Sequence, residues 1–344
     1  MKVGVVGTGR IGAWHARTLC GLLPADSLLI YDTDEYVALR VATELSVQAC
    51  SSVEELVATA DAIVVATPTS ARMSVVPMAI DKGIPQFCEK PLGATVEEAR
   101  RLADLAFDRS VPIQVGFQRR FDPEYRMLRQ LVASGAIGRV LLIRGTAFDH
   151  APPPAGFEQD AGSIFTDLLI HDADAVRWLT GEEVLAVRAD CREVPGEPGE
   201  AAVSVATVLL ELSGGGCAVL TGSRLDPRGY DHRMEVLGTR DSVTVGLTAR
   251  TPLRILQASR SCGTRSEIGH LADGEGFSGF IDRFATAYRE EMHAFLEMVA
   301  TGSPSLCGPH DAVLAQQIVT AAEKSARTAS RVPLPSVEHA VTQA

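Results

Sequence analysis

Lys90, in the stretch "QFCEKPLG" from Gln86 to Gly93, ends an apolar run with a cation and is followed by Pro91. A lysine fixed at a strand end can donate hydrogen bonds to an oxygen on which negative charge develops. A second group lies in "SIFTDLLIHDADAVRWLTG", where Asp167 and His171 are four apart and Asp174 follows, so a helix puts all three on one face. Histidine suits proton transfer because its ordinary pKa, about 6.5, lies near working pH. Taken alone, the helix pair reads as a solvated Asp-His pair worth about 0.2–0.5 kcal/mol. The strand end alone reads as an ordinary charged one.

Gly7-Thr8-Gly9-Arg10-Ile11-Gly12 is a G-x-G-x-x-G motif, preceded by the apolar "KVGVV" and continued by the helical pattern "IGAWHARTL". An acid, Asp32, ends the next apolar run twenty residues after Gly12. In that context the glycines permit a tight turn and close approach of a pyrophosphate, which the helix N-terminus attracts. Asp32 favours NAD over NADP, since a carboxylate accepts from a ribose hydroxyl and repels a phosphate. Arg10 has the pyrophosphate as its nearer target. "VVATPT" ends a further strand at the edge where such sheets bind ligands, making Thr67 and Pro68 wall residues. Glu89 and Lys90 end the next strand at that edge, toward the nicotinamide end of the cofactor.

The elements that must carry these residues fall into two styles. Val3 to Val6, Leu28 to Tyr31, Ala62 to Ala66, Ile84 to Cys88 and Ile113 to Phe117 alternate with helical patterns. This predicts a parallel sheet covered on both faces, a Rossmann domain over 1–121. After a helix from Pro123 to Ser134 come longer, often alternating runs: "VLLIRGTAF", "VSVATVLLEL", "CAVLTGS", "MEVLGT" and "SVTVG". These predict a second α+β domain over 122–344 with a large open, mostly antiparallel sheet. A helix at Ser163 to Leu179 is stopped by "TG", and two more span Phe280 to Ala300 and His310 to Ala329. "REVPGEPGE" reads as a surface loop and "PPPAG", at 152 to 156, as a stiff one.

Length supports two domains: 344 residues exceed the usual single-domain size. A net charge of -11 argues against nucleic acid or an anionic membrane as partner, because phosphate is bound by clustered Lys and Arg. Seven cysteines without a Cys-x-x-Cys pair suit free thiols in a reducing cytoplasm and no metal site. Neither a signal peptide nor a membrane span is read at the N-terminus.

Together "GTGRIG", "EKP", "QVGFQRRFD", "SIFTDLLIHDADAVRWLTG", "GYDHRMEVLG" and "FIDRFATAYREEMHAF", in this order, resemble the glucose-fructose oxidoreductase and inositol dehydrogenase (Gfo/Idh/MocA) family. The resemblance spans nearly the whole chain and is nearest to the bacterial inositol 2-dehydrogenase branch. It implies a catalytic trio of Lys90, Asp167 and His171, with a proline after the lysine that is often cis. It also implies that Arg119, Asp149 and Tyr230 look toward the substrate, beside the trio, and that the chain forms a homotetramer. Arg120 reads as a surface cation paired with Asp122 and Glu124. Two departures bear on the substrate. Ala147-Phe148-Asp149-His150 stands where such chains typically read Ser-Arg-Asp-Pro, losing a cation and gaining a ring, and Phe280 stands where a tryptophan is often found.

The chemistry implied is removal of a hydride from a secondary alcohol carbon and of a proton from its oxygen. His171 would take the proton, Asp167 would orient and balance the imidazole, and Lys90 would stabilise alkoxide character. The resemblance thus implies an NAD-dependent dehydrogenase of a cyclic polyol, myo-inositol giving its 2-keto product. A dehydrogenase or ketoreductase of another sugar or aminosugar, motivated by Phe148 and His150, is the alternative within enzymes. A glycosidase using NAD transiently would need a leaving-group acid that is not identifiable. A non-catalytic NAD sensor has no use for the trio.

Overall fold

Short apolar runs build the first layer of the computed structural model, which describes residues 1–153, 162–196, 202–227, 229–247 and 277–335. β1 (Val3–Val6), β4 (Ala62–Val65), β5 (Gln86–Glu89) and β6 (Ile113–Gly116) are buried at every position, as strands covered on both faces must be. With β2 (Leu28–Tyr31) and β3 (Gln48–Ala49) they form a parallel sheet ordered β3-β2-β1-β4-β5-β6. Connections run in opposite directions from β1 and β4, which leaves a crevice at their carboxyl ends.

The intervening helices are α1 (Arg10–Cys20), α2 (Glu35–Leu45), α3 (Val53–Thr59), α4 (Arg72–Asp81) and α5 (Val96–Asp108). Side chains of Asp34, Ser52 and Thr95 cap α2, α3 and α5. α1 differs. Its N-cap is Gly9, with no side-chain hydrogen bond and no acid in the first turn, so its leading N–H groups stay open.

Beyond α6 (Pro123–Ala133), capped by Asp122, the chain forms the second sheet. Its strands are β7 (Val140–Phe148), β8 (Val184–Val194), β9 (Val203–Leu212), β10 (Cys217–Ser223), β11 (Asp231–Gly238), β12 (Ser242–Val245) and β13 (Val332–Pro333). The order is β12-β11-β7-β10-β9-β8-β13, antiparallel except where β7 and β10 run parallel. Burial alternates along β9 and β11, one face inward and one outward. The inner face carries α7 (Ile170–Thr180) and α9 (Pro309–Thr328), while α8 (Phe280–Thr301) crosses toward α1.

The two layers share a continuous core and direct ties. Gln114 donates to Glu291 O at 2.8 Å, and Gln316, on α9, donates to Gly93 O at 2.9 Å, just beyond Lys90. Three features depart from the sequence reading. β3 is a two-residue edge strand with no apolar run to announce it. Arg192 to Val194 of the expected loop belong to β8, and 197–200 lie outside the described residues, as do 154–156 of "PPPAG". The helix expected from Ser163 opens with a π-helical turn, Phe165–Leu169, before α7 begins; Gly181, at φ 68°, ends it in the left-handed region that glycine adopts without strain.

Candidate active site

The Gly-rich turn is shaped for a ligand as well as for packing. Gly7 sits at φ +88°, and a Cβ on Gly12 would stand 1.9 Å from Gly7 O, so these two glycines serve the turn and the helix–strand contact. A Cβ on Gly9 would meet nothing within 4 Å. That open space lies at the uncapped start of α1, where an anion gains from the N–H groups and the helix dipole. Ile11 follows on the first turn, packed against the core.

Asp32 is tied to the same turn. Its Oδ2 accepts from Thr8 N at 2.6 Å and Thr8 Oγ1 at 3.1 Å, and Oδ1 accepts from Asp34 N at 3.0 Å. Buried Arg72 donates to Thr67 O at 3.1 Å and to Pro91 O, joining the ends of β4 and β5. Thr67 Oγ1 is buried without a partner among the described residues. Pro68 is exposed beside it.

Lys90 follows β5 across a cis Lys90–Pro91 peptide. Its Nζ donates to Asp167 O at 2.8 Å and Asp167 Oδ1 at 2.9 Å, bringing the strand end and the π-helical turn together. The other carboxylate oxygen, Asp167 Oδ2, accepts from Arg224 Nη1 at 2.9 Å, and the same nitrogen lies 3.1 Å from Asp149 Oδ2. The Asp167 carboxylate is therefore engaged by two cations rather than by the imidazole of His171. His171 packs edge-on to Phe117, ring centroids 5.9 Å apart. Its Nδ1 is buried without a partner among the described residues.

These surroundings set the charge states. Burial, reinforced by the Lys90 and Arg119 charges, pushes His171 well below the ordinary histidine range, so it is a neutral acceptor at pH 7. Burial alone would raise Asp167, but Lys90 and Arg224 outweigh it and hold the carboxyl below its usual value. At Asp149 burial wins against Arg224 and the carboxyl is raised. Tyr230 is raised well above its usual value by burial and then by the Asp149 charge, and so remains a neutral phenol.

Other sequence-selected residues lie differently. The Arg119 guanidinium is 1 % exposed and clamps Asp172 with two bonds, 2.6 and 3.0 Å. Its Nη2 also lies 3.0 Å from His232 Nδ1, and His232 stacks under Tyr230 at 3.9 Å. Arg120 is not a surface cation. It pairs with Asp174, at 2.6 Å, and with Asp311, which draws Asp174 away from the cleft; Asp122 and Glu124 pair with Arg283 instead. The Glu89 carboxylate turns inward to His15 Nε2 at 2.7 Å. Arg10 stacks over Phe280 at 4.9 Å, so the ring found in place of tryptophan holds the cation of the Gly-rich turn. Sequence reading missed Arg224. Its one signal was position, directly after the run "CAVLTGS".

Comparison with known proteins adds the lineage. Residues 1–117 match the model of the oxidoreductase family with NAD-binding Rossmann fold, and residues 125–244 match the GFO/IDH/MocA C-terminal domain. The chain belongs to the GFO/IDH/MocA oxidoreductase family. It is an NAD-dependent oxidoreductase. A myo-inositol dehydrogenase, Hyg17, of Streptomyces leeuwenhoekii is 38% identical, covering 97% of this chain and 99% of its own. A scyllo-inositol 2-dehydrogenase (NAD(+)) of Bacillus subtilis is 32% identical over 97% and 96%. Among solved structures, scyllo-inositol dehydrogenase from Lactobacillus casei with bound NAD(H) and scyllo-inositol superposes with a TM-score of 0.80 at 25% identity, covering 97% and 98%.

Proposed function

We propose that this GFO/IDH/MocA family member oxidises one ring CH–OH of a neutral cyclic polyol, myo-inositol in the first instance, to the 2-keto product, scyllo-inosose. The observation that carries the reading is the Lys90–Asp167–Arg224–Asp149 chain of ion pairs beside neutral His171, at the carboxyl edge of a Rossmann sheet. Relatives acting on both myo- and scyllo-inositol support the substrate class. NAD, when bound, supplies the hydride acceptor. Gly9 and the start of α1 would hold its pyrophosphate, and Asp32 its adenosine ribose. Three donors already reach the Asp32 carboxylate. A carboxylate has about four acceptor sites, which leaves one for a ribose hydroxyl and none for a phosphate.

His171 Nε2 takes the hydroxyl proton. An ammonium has three donors, and two of those on Lys90 go to Asp167, so the third meets the substrate oxygen as it gains negative charge. Asp167 thus aims Lys90, a role different from the imidazole-orienting one its spacing to His171 suggested. Asp149 and Tyr230 bind further hydroxyls. The outward face of the second sheet carries exposed Leu185, Val194 and Val205 and is covered by other copies in a homotetramer, which the mass in solution tests.

Reduction of NAD across a panel of inositol stereoisomers, pyranoses and aminosugars tests the substrate. Turnover of myo-inositol is the expected result. A pyranose or aminosugar that turns over while every inositol is inert replaces the polyol by a sugar.

A further inference from the structure

Arg224 reaches the site through strand pairing. It follows β10 directly, as Asp149 follows β7, and the two strands run parallel with Ser223 opposite Phe148. Asp149 N donates to Ser223 O at 2.9 Å, and Arg224 N to Ser204 O at 3.0 Å, so the two chains leave the sheet side by side. The Arg224 side chain is only 4% exposed.

A guanidinium carries five N–H donors in a planar fork. Nη1 serves Asp149 and Asp167; Nε and Nη2 are buried and meet no acceptor among the described residues. Buried donors left this way carry uncompensated desolvation. Arg283 likewise has Nε and Nη2 without a hydrogen-bond partner among the described residues, and it is the contact with Asp167 that sets Arg224 apart from it. The unpartnered edge belongs to the same guanidinium that touches Asp167, which Lys90 holds in turn. It also restores a cation to the neighbourhood of Asp149, where the stretch Ala147-Phe148-Asp149-His150 has none.

We propose that Arg224 is a substrate-binding and specificity-determining residue, its Nε–Nη2 edge donating to a hydroxyl oxygen on the ring carbon next to the one oxidised. This rests on the polyol reading and sharpens it: the site reads a vicinal diol. Charge decides between a hydroxyl and an anionic group. Lys90 and Arg224 are balanced by Asp149 and Asp167, and His171 is neutral, so a carboxylate or phosphate on that edge would add uncompensated charge beside two carboxylates. A hydroxyl adds none.

The test compares myo-inositol with the two deoxyinositols lacking a hydroxyl on either side of the oxidised carbon, in wild type, Arg224→Met and Arg224→Lys. In wild type, kcat/KM should fall roughly a hundredfold or more for one deoxy analogue, since a site built to bond a hydroxyl rejects its absence. Arg224→Met should lose most of that discrimination, and Arg224→Lys, which keeps the charge but not the fork, should lose it in part. NAD affinity, read by fluorescence titration, should stay within about threefold in both, which also reports folding. If both variants lose rate equally on all three substrates, Arg224 only organises Asp149 and Asp167, and the proposal falls. Wild type that oxidises no cyclic polyol removes the functional reading and this proposal with it. Wild type that oxidises them without discrimination removes this proposal alone.

Discussion

Replacing Lys90 with methionine removes one charge and three donors while shortening the unbranched side chain by one atom. Two of those donors hold Asp167 at 2.8 and 2.9 Å; after the change Arg224 still engages the Asp167 carboxylate, although one guanidinium then serves both Asp149 and Asp167. The donor lost to the substrate oxygen acts where charge develops, and removal of one such donor costs about 2.7–4 kcal/mol. At 1.36 kcal/mol per tenfold, the hydride step should slow by about two to three powers of ten. The same substitution removes a like charge that depresses His171, so the acid limb of the pH–rate profile should move up. It should stay below the ordinary histidine value of about 6.5, because burial, the larger cause, remains. Single-turnover reduction of bound NAD, followed across pH, reads both effects, and NAD affinity should be nearly unchanged. A near-normal hydride rate in the folded variant, or a slow one whose acid limb has not moved, rules out this role for Lys90.

Gly9→Ala should fold with a stability loss of at most about 1 kcal/mol, since its Cβ meets nothing, yet bind NAD weakly; Gly12→Ala should be poorly folded, its Cβ colliding with Gly7 O. Calorimetric titration and thermal melts separate the two. Asp172→Ala leaves the buried Arg119 guanidinium unpaired and should cost about 3–5 kcal/mol in denaturant unfolding, a structural effect that substrate does not rescue. Because folded His171 resists protonation, the unfolded chain binds the extra proton first as pH falls below about 6.5. The stability of wild type relative to non-titrating His171→Gln should therefore decline below that pH and be flat above it, as paired melts would show. Asp32→Ala together with a nearby arginine should weaken NAD use and admit NADP; wild type that prefers NADP contradicts the reading of Asp32.

The parallel sheet was legible because its strands are buried on both faces and so appear as unbroken apolar runs, and because Gly7 and Gly9 stand between a strand and a helix whose first turn carries Gly12. β3 was not, since two residues carry no period. Lys90 and Asp167 could be selected by type, but their partner Arg224 could not. What brings it to Asp149 is the parallel register of β7 on β10, a pairing between segments some 75 positions apart that leaves no local pattern. The two arginines of "QRRF" were misjudged for a related reason. Their turn, Gln118–Phe121, points them at Asp172 and Asp174, two apart on α7, and hydropathy gives no sign that four charges are buried together. The alternation of Asp172 and Asp174 around Ala173 was the available clue.

Hydride removal from one ring carbon at the Lys90–His171 site can be followed with myo-inositol deuterated at carbon 2. Wild type should accumulate reduced cofactor carrying the deuterium together with the 2-keto product, and more slowly than from the unlabelled polyol when a single turnover is followed. Folded, NAD-binding protein that yields no reduced cofactor, or reduced cofactor without the label, contradicts hydride removal from that carbon.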